Sequence, residues 1–181
     1  MRMLGPVALL ASLLLLVPSD SPAPAASGER VYILGFDGMD AGLTERFLAE
    51  GKLPNLAWMK VHGAMRHLAT TNPAQSPVAW SVFSTGMNPG KTRIYDFLRR
   101  NPATYYPDFS TVTIQRGKFA LGFLPTKAPT ITNNRQGTTF WQLASRKGIK
   151  AVVLEAPINF PPETLQNGVL LSGLGVPDIR G

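Results

Sequence analysis

No cysteine occurs among the 181 residues, which excludes disulfides, thiolate metal ligands and a lipid anchor attached through an N-terminal cysteine. Histidine is almost as scarce, with only His62 and His67. Any metal is therefore held through oxygen and nitrogen. Charge is sparse too: 16% of residues are charged against 44% hydrophobic, the balance of a globular chain rather than a disordered tail or a coiled coil. Acidic residues are the minority sign, 11 against 18 Lys and Arg. The resulting net charge of +7 and pI of about 10.1 favour anionic partners, or else mark a solvated basic face. Aromatics do not interleave with the basic residues as a base-stacking platform requires, and no nucleic-acid-binding motif is present.

The one long apolar run lies at the N-terminus. Arg2 is followed by Leu4 to Val17 and then by the small-residue stretch Ser21 to Ser27, the pattern of a secretory signal peptide. Ala23 and Ala25 flank Pro24 as an Ala-x-Ala cleavage pattern, with a cut after Ala26 as the competitor. The run is shorter than the roughly 20 residues a spanning helix needs. Residues 1–26 are thus read as a signal peptide and 27–181 as one exported domain, periplasmic or extracellular, with no membrane span in the mature chain.

Val31-Tyr-Ile-Leu-Gly-Phe36, ending at Asp37-Gly38, predicts a strand buried on both faces in a parallel sheet. Leu43, Phe47 and Leu48 recur at helical spacing up to Gly51, and a second helix is expected from Pro54 to a stop at Gly63. Ala64 to Thr70 reads as a less buried strand. The segment from Gln75 to Gly86 is the best-punctuated element: Ser76 as N-cap, Pro77 in the first turn, Gly86 just past the end. From Asn101 to Asn134 the pattern weakens, with prolines at 102, 107, 125 and 129 around a β-rich stretch from Thr111 to Phe123, a long excursion that suits a hairpin. Thr139 then caps a helix over Phe140 to Lys147, and Ile149 to Leu154 returns to strand. Helix and apolar strand in alternation predict an α/β sheet with crossover connections.

Two residues stand out for chemistry. Asp37 closes a predicted strand, where open α/β sheets collect their ligands, and a carboxylate there can hold Zn²⁺, Mg²⁺ or Mn²⁺. Asp-Gly is equally a common turn dipeptide. Ser76 sits at a helix N-terminus, where unpaired N–H groups and the helix dipole attract phosphate. Its hydroxyl is either a cap alone or a nucleophile, and as a nucleophile it needs a base or a metal.

Ile33-Leu-Gly-Phe-Asp-Gly-Met39, Gly51-Lys-Leu-Pro-Asn-Leu56, Gly63, Gln75-Ser-Pro-Val-Ala-Trp80, Ser84-Thr-Gly-Met-Asn-Pro-Gly90 and Ile94-Tyr-Asp-Phe97, in this order and spacing, resemble the N-terminal half of the type I phosphodiesterase and nucleotide pyrophosphatase family, a branch of the alkaline phosphatase superfamily. Trp141, Glu155 to Pro162 and Ser172 to Asp178 continue the likeness. The resemblance implies an alkaline-phosphatase-like α/β fold, a mostly parallel sheet flanked by helices. It also implies a site for two divalent metals, usually zinc with Mg²⁺ or Mn²⁺ as alternatives, that opens phosphodiester, pyrophosphate or phosphomonoester bonds of a small anionic substrate through a phospho-enzyme. Asp37 matches the first metal-binding aspartate, and Ser76 falls at the Ser or Thr nucleophile that also touches a metal. Ser76-Pro-Val-Ala-Trp80 is unlike the Cys/Ser-x-Pro-x-Arg setting of a sulfatase.

The chain departs from the family in two places. Thr92-Arg93 stands where the family commonly has His-Gly, and the sequence ends before the later Asp and His ligands, including an adjacent Asp-His. The domain is accordingly expected to be incomplete at its C-terminus, and the competing reading is a noncatalytic fragment that at most binds phosphate or one metal. His62 and His67 are expected at the surface or in the core rather than as ligands. Lys91, Arg93, Arg99 and Arg100 either steer an anion or form a solvated face. Trp80, Phe83 and Trp141 line a base slot or pack the core, and Asp96 and Asp178 also have turn or cap readings.

Overall fold

The computed structural model describes residues 28–121, 123–174 and 176. The signal-peptide reading of 1–26 and the segment around Asp178 lie outside the described residues. The chain divides into two units at Ile33 and Leu34, and the secondary structure described below lies in the second.

Helix α1 (Ala41–Ala49) is capped by Asp40, whose Oδ1 accepts from the Leu43 N–H at 2.7 Å. Helix α2 (Pro54–His62) starts with proline and stops at Gly63. Helix α3 (Ser76–Thr85) again carries proline in its first turn, and Gly86 closes it in the left-handed conformation. Proline's fixed φ opens α2 and α3, and an αL glycine closes α3. A short helix α4 (Pro89–Thr92), capped by Asn88, was not foreseen. It ends on Arg93 at φ 62. Arg93, at the position where the resemblance implies glycine, thus occupies a backbone conformation that glycine tolerates best.

The excursion that follows is wholly antiparallel. Strand β1 (Leu98–Arg100) pairs with β2 (Pro107–Phe109). Strand β3 (Val112–Gln115) pairs with β6 (Thr130–Asn133), and between them in sequence β4 (Lys118–Ala120) pairs with β5 (Leu124–Lys127). Helix α5 (Phe140–Arg146) then leads into β7 (Ala151–Ala156), which runs parallel to β8 (Gly168–Ser172).

Mixed helices and small strands agree with an α/β class, but the expected extended parallel sheet is absent among the described residues. Among the described residues there are four two-stranded sheets, of which only β7–β8 is parallel. Residues 31–36 form no strand, and Val31 and Leu34 are 87% and 76% exposed. Ala64 to Thr70 is likewise not a strand. The physical reason is pairing: an apolar run becomes a buried strand only when neighbours take up its N–H and C=O groups, and no described strand pairs with either segment.

The apolar core is small, comprising Val78, Ile94, Trp141 and Ile158. Beside it lies a buried polar network. The Arg135 guanidinium donates to Ser84 Oγ (3.3 Å), Ile158 O (3.1 Å) and Asn159 Oδ1 (2.8 Å), and pairs with Glu163. Glu163 Oε2 in turn accepts from Thr139 Oγ1 at 2.6 Å and Trp141 Nε1 at 3.1 Å. Burial pulls the Arg135 pKa down, and the Glu163 carboxylate opposes that shift. Thr139 precedes α5 as expected, but its hydroxyl reaches Glu163 instead of capping the helix. The network ties the last turn of α3 to the 156–163 loop, where Ile158 holds a positive φ of 61.

Candidate active site

Asp37 stands at a turn, exposed, with Gly38 after it at φ 67, a conformation that suits glycine. Its carboxylate accepts two hydrogen bonds from α3, one on each oxygen. Ser76 Oγ donates to Oδ2 at 3.0 Å, and Trp80 Nε1 donates to Oδ1 at 3.2 Å. Ser76 and Trp80 are four apart on one helix, so both face the same side. One carboxylate, 39 residues away from Ser76 in sequence, is thereby set against the tip of α3.

Ser76 proves to be the first helical residue and not the N-cap. Gln75 holds the cap position, and no side-chain cap hydrogen bond is made. The Ser76 hydroxyl is directed at Asp37 instead. The tip of α3 also has fewer free donors than a generic helix start. Pro77 has no N–H, while the Val78 and Ala79 N–H groups both reach Gln75 O at 3.0 and 2.9 Å. Among the described residues this leaves the Ser76 N–H as the first-turn donor not used in a backbone hydrogen bond.

Trp80 was expected only as core or slot, and its bond to Asp37 went unforeseen. Its i+4 relation to Ser76 was the available signal. The indole ring presses against Gly35, where an added Cβ would lie 2.4 Å from Cη2 and 3.0 Å from Cζ3. Gly35 is required there by close approach. Edge-to-face contacts continue from Trp80 to Phe83 (5.7 Å), Phe140 (5.5 Å) and Trp141 (4.8 Å). Trp141 is buried, the packing role its apolar spacing predicted.

The remaining candidates are elsewhere. His62 Nδ1 lies 2.9 Å from Trp58 O and its ring stacks on that indole, while His67 Nε2 lies 2.9 Å from Glu45. Asp96 Oδ1 accepts the Phe97 N–H at 2.6 Å, a local turn. Arg100 covers the Tyr105 ring at 4.2 Å, and Arg99 lies across from Asp108 in the β1–β2 ladder. Among the described residues, none of Lys91, Arg93, Arg99 and Arg100 is ion-paired with Asp37 or bonded to Ser76.

The family model for type I phosphodiesterase / nucleotide pyrophosphatase matches residues 31–168, more than half the chain. The chain belongs to this family. No curated protein and no solved structure matches it. The match contains every residue of the Asp37 site as well as Arg135 and Glu163. It places the chain among phosphoester hydrolases, which are generally metal-dependent.

Asp37 and Ser76 can be tested directly against such a metal. Both donors are oxygen, which suits a hard or borderline divalent cation in kind. In number they fall short of the four ligands of a tetrahedral zinc site. Among the described residues no group of three His, Cys, Asp or Glu side chains comes together to hold an ion. By themselves Asp37 and Ser76 do not amount to a complete ion site among the described residues.

Proposed function

We propose that this chain carries the nucleophilic half of a metal-dependent phosphoester hydrolase, exported from the cell, in which Ser76 attacks phosphorus. The observation that supports it most is the 3.0 Å hydrogen bond from Ser76 Oγ to Asp37 Oδ2. It fixes the hydroxyl rotor and directs its proton at a carboxylate, leaving the Oγ lone pairs as the nucleophile. Trp80 Nε1 holds the other carboxylate oxygen, so Asp37 keeps one orientation. A divalent cation, Zn²⁺ with Mg²⁺ or Mn²⁺ as alternatives, would be held by Asp37 and Ser76 and would supply charge stabilisation for the alkoxide and the phosphate oxygens. Family membership supports phosphodiester, pyrophosphate and phosphomonoester bonds of a small anionic substrate as the class attacked.

Hydrolysis of bis(4-nitrophenyl) phosphate with added Zn²⁺, Mg²⁺ or Mn²⁺ tests the reading. Ser76→Ala is expected to lose roughly a thousandfold or more of the metal-stimulated rate with an unchanged circular dichroism spectrum. A full rate in that variant removes Ser76 from the mechanism.

A second reading, a noncatalytic piece that binds phosphate or a single metal, is favoured by that incomplete ion site alone. Metal content by mass spectrometry separates the two. Two bound divalent ions per chain contradict the second reading, and one or none without turnover supports it.

A further inference from the structure

The +7 net charge is unevenly placed. Residues 91–150 hold 11 Lys and Arg against Asp96 and Asp108 alone, and no carboxylate side chain occurs between Asp108 and Glu155. The β1–β2 hairpin sets its cations beside groups of its own, with Arg99 opposite Asp108 in register and Arg100 over the Tyr105 ring. The β4–β5 hairpin does not. Lys118 and Lys127 are direct cross-strand partners there, both are exposed, and Arg116 beside them is exposed as well. Like charges directly opposed on a ladder are destabilising unless something neutralises them. At the other end of the same hairpin Leu121 and Phe123 are 81% and 71% exposed, and Leu124 is exposed too.

We propose that the β4–β5 hairpin docks on an anionic lipid bilayer, with Leu121 and Phe123 entering the interface and Arg116, Lys118 and Lys127 meeting headgroup phosphates. A rise of about 3.3 Å per residue sets the lysine pair roughly 10 Å behind Leu121. That is the depth, about 5–10 Å, to which apolar side chains bury at the headgroup boundary. The lysines then lie among the phosphates, and the opposed charges acquire counter-ions. A soluble polyanion would satisfy the cations but would leave the apolar end in water, so the lipid surface fits both halves of the hairpin.

Sedimentation of the full chain with vesicles of phosphatidylcholine and phosphatidylserine (7:3), against pure phosphatidylcholine, tests this. Binding to the anionic vesicles is expected to be at least about tenfold tighter and to weaken with added salt. The variant K118Q/K127Q should lose roughly thirtyfold. The variant L121S/F123S should lose about tenfold or more while retaining every charge. Melting temperatures of both variants no lower than the wild type's exclude misfolding as the cause, because all four side chains are exposed. Equal binding to neutral vesicles, or no binding, overturns the proposal. So does L121S/F123S binding like wild type while inorganic polyphosphate displaces the chain, which assigns the cations to a soluble polyanion.

Discussion

The two ends of α3 carry the same side chain to opposite purposes. Ser84, in the last turn, is buried; its hydroxyl donates to Ser81 O and accepts from Arg135, inside a network closed by Glu163. Ser76, about 12 Å away along the axis, makes one side-chain contact with an exposed carboxylate. The buried hydroxyl both donates and accepts within a network that leaves Arg135 Nε without a partner, and the exposed end is left with acceptor capacity. A serine becomes a candidate nucleophile by what its surroundings leave unsatisfied, and the rigidity for aiming it comes from the other end of the helix.

The contrast can be broken at either end. The largest break is kinetic: Ser76→Ala loses turnover and keeps its melting temperature. Next is Glu163→Ala, which strands the Arg135 charge in the interior and is expected to cost about 3–5 kcal/mol in urea unfolding. Replacing the pair together by Met and Leu should recover most of that loss, since an apolar pair carries no desolvation penalty. Smaller is Gly35→Ala, whose Cβ meets the Trp80 ring. About 1–3 kcal/mol is expected, with a change in Trp fluorescence as the indole leaves Asp37. Smallest is Arg93→Gly, a gain. The αL conformation costs an ordinary residue about 1–2 kcal/mol and glycine loses about 0.5–1 kcal/mol more chain entropy, so a net stabilisation of about 0.5–1 kcal/mol should appear in the melting curve.

Elements set by local chemistry were legible in the sequence. Pro54 and Pro77 opened their helices, and Gly63 and Gly86 stopped them. A hairpin within the Asn101 to Asn134 excursion and the strand after α5 also appeared. Elements that need a distant partner were not legible. The apolar run at 31–36 has the composition of a buried strand but no ladder to join, and periodicity cannot report the lack. Ser76 was read as a cap because helix punctuation is local, whereas Asp37 lies on a separate segment. The Arg135–Glu163 pair spans 28 residues, and Arg135 follows the weakly patterned excursion. One clue was available: with no acidic residue between Asp108 and Glu155, a buried arginine there had to find its partner outside its own stretch. The Asp37 to Ser76 pairing itself was expected through the family resemblance, and the helix face shared with Trp80 could have been read from spacing alone.

The most direct measurement is phosphopeptide mapping after an acid quench of the chain reacting with bis(4-nitrophenyl) phosphate and divalent metal. Displacement of one 4-nitrophenolate should leave a 4-nitrophenyl phosphoryl ester on the peptide containing Ser76, absent in Ser76→Ala and strongly reduced in Asp37→Asn. An adduct on another residue, or steady hydrolysis with Ser76 unmodified throughout, would contradict it.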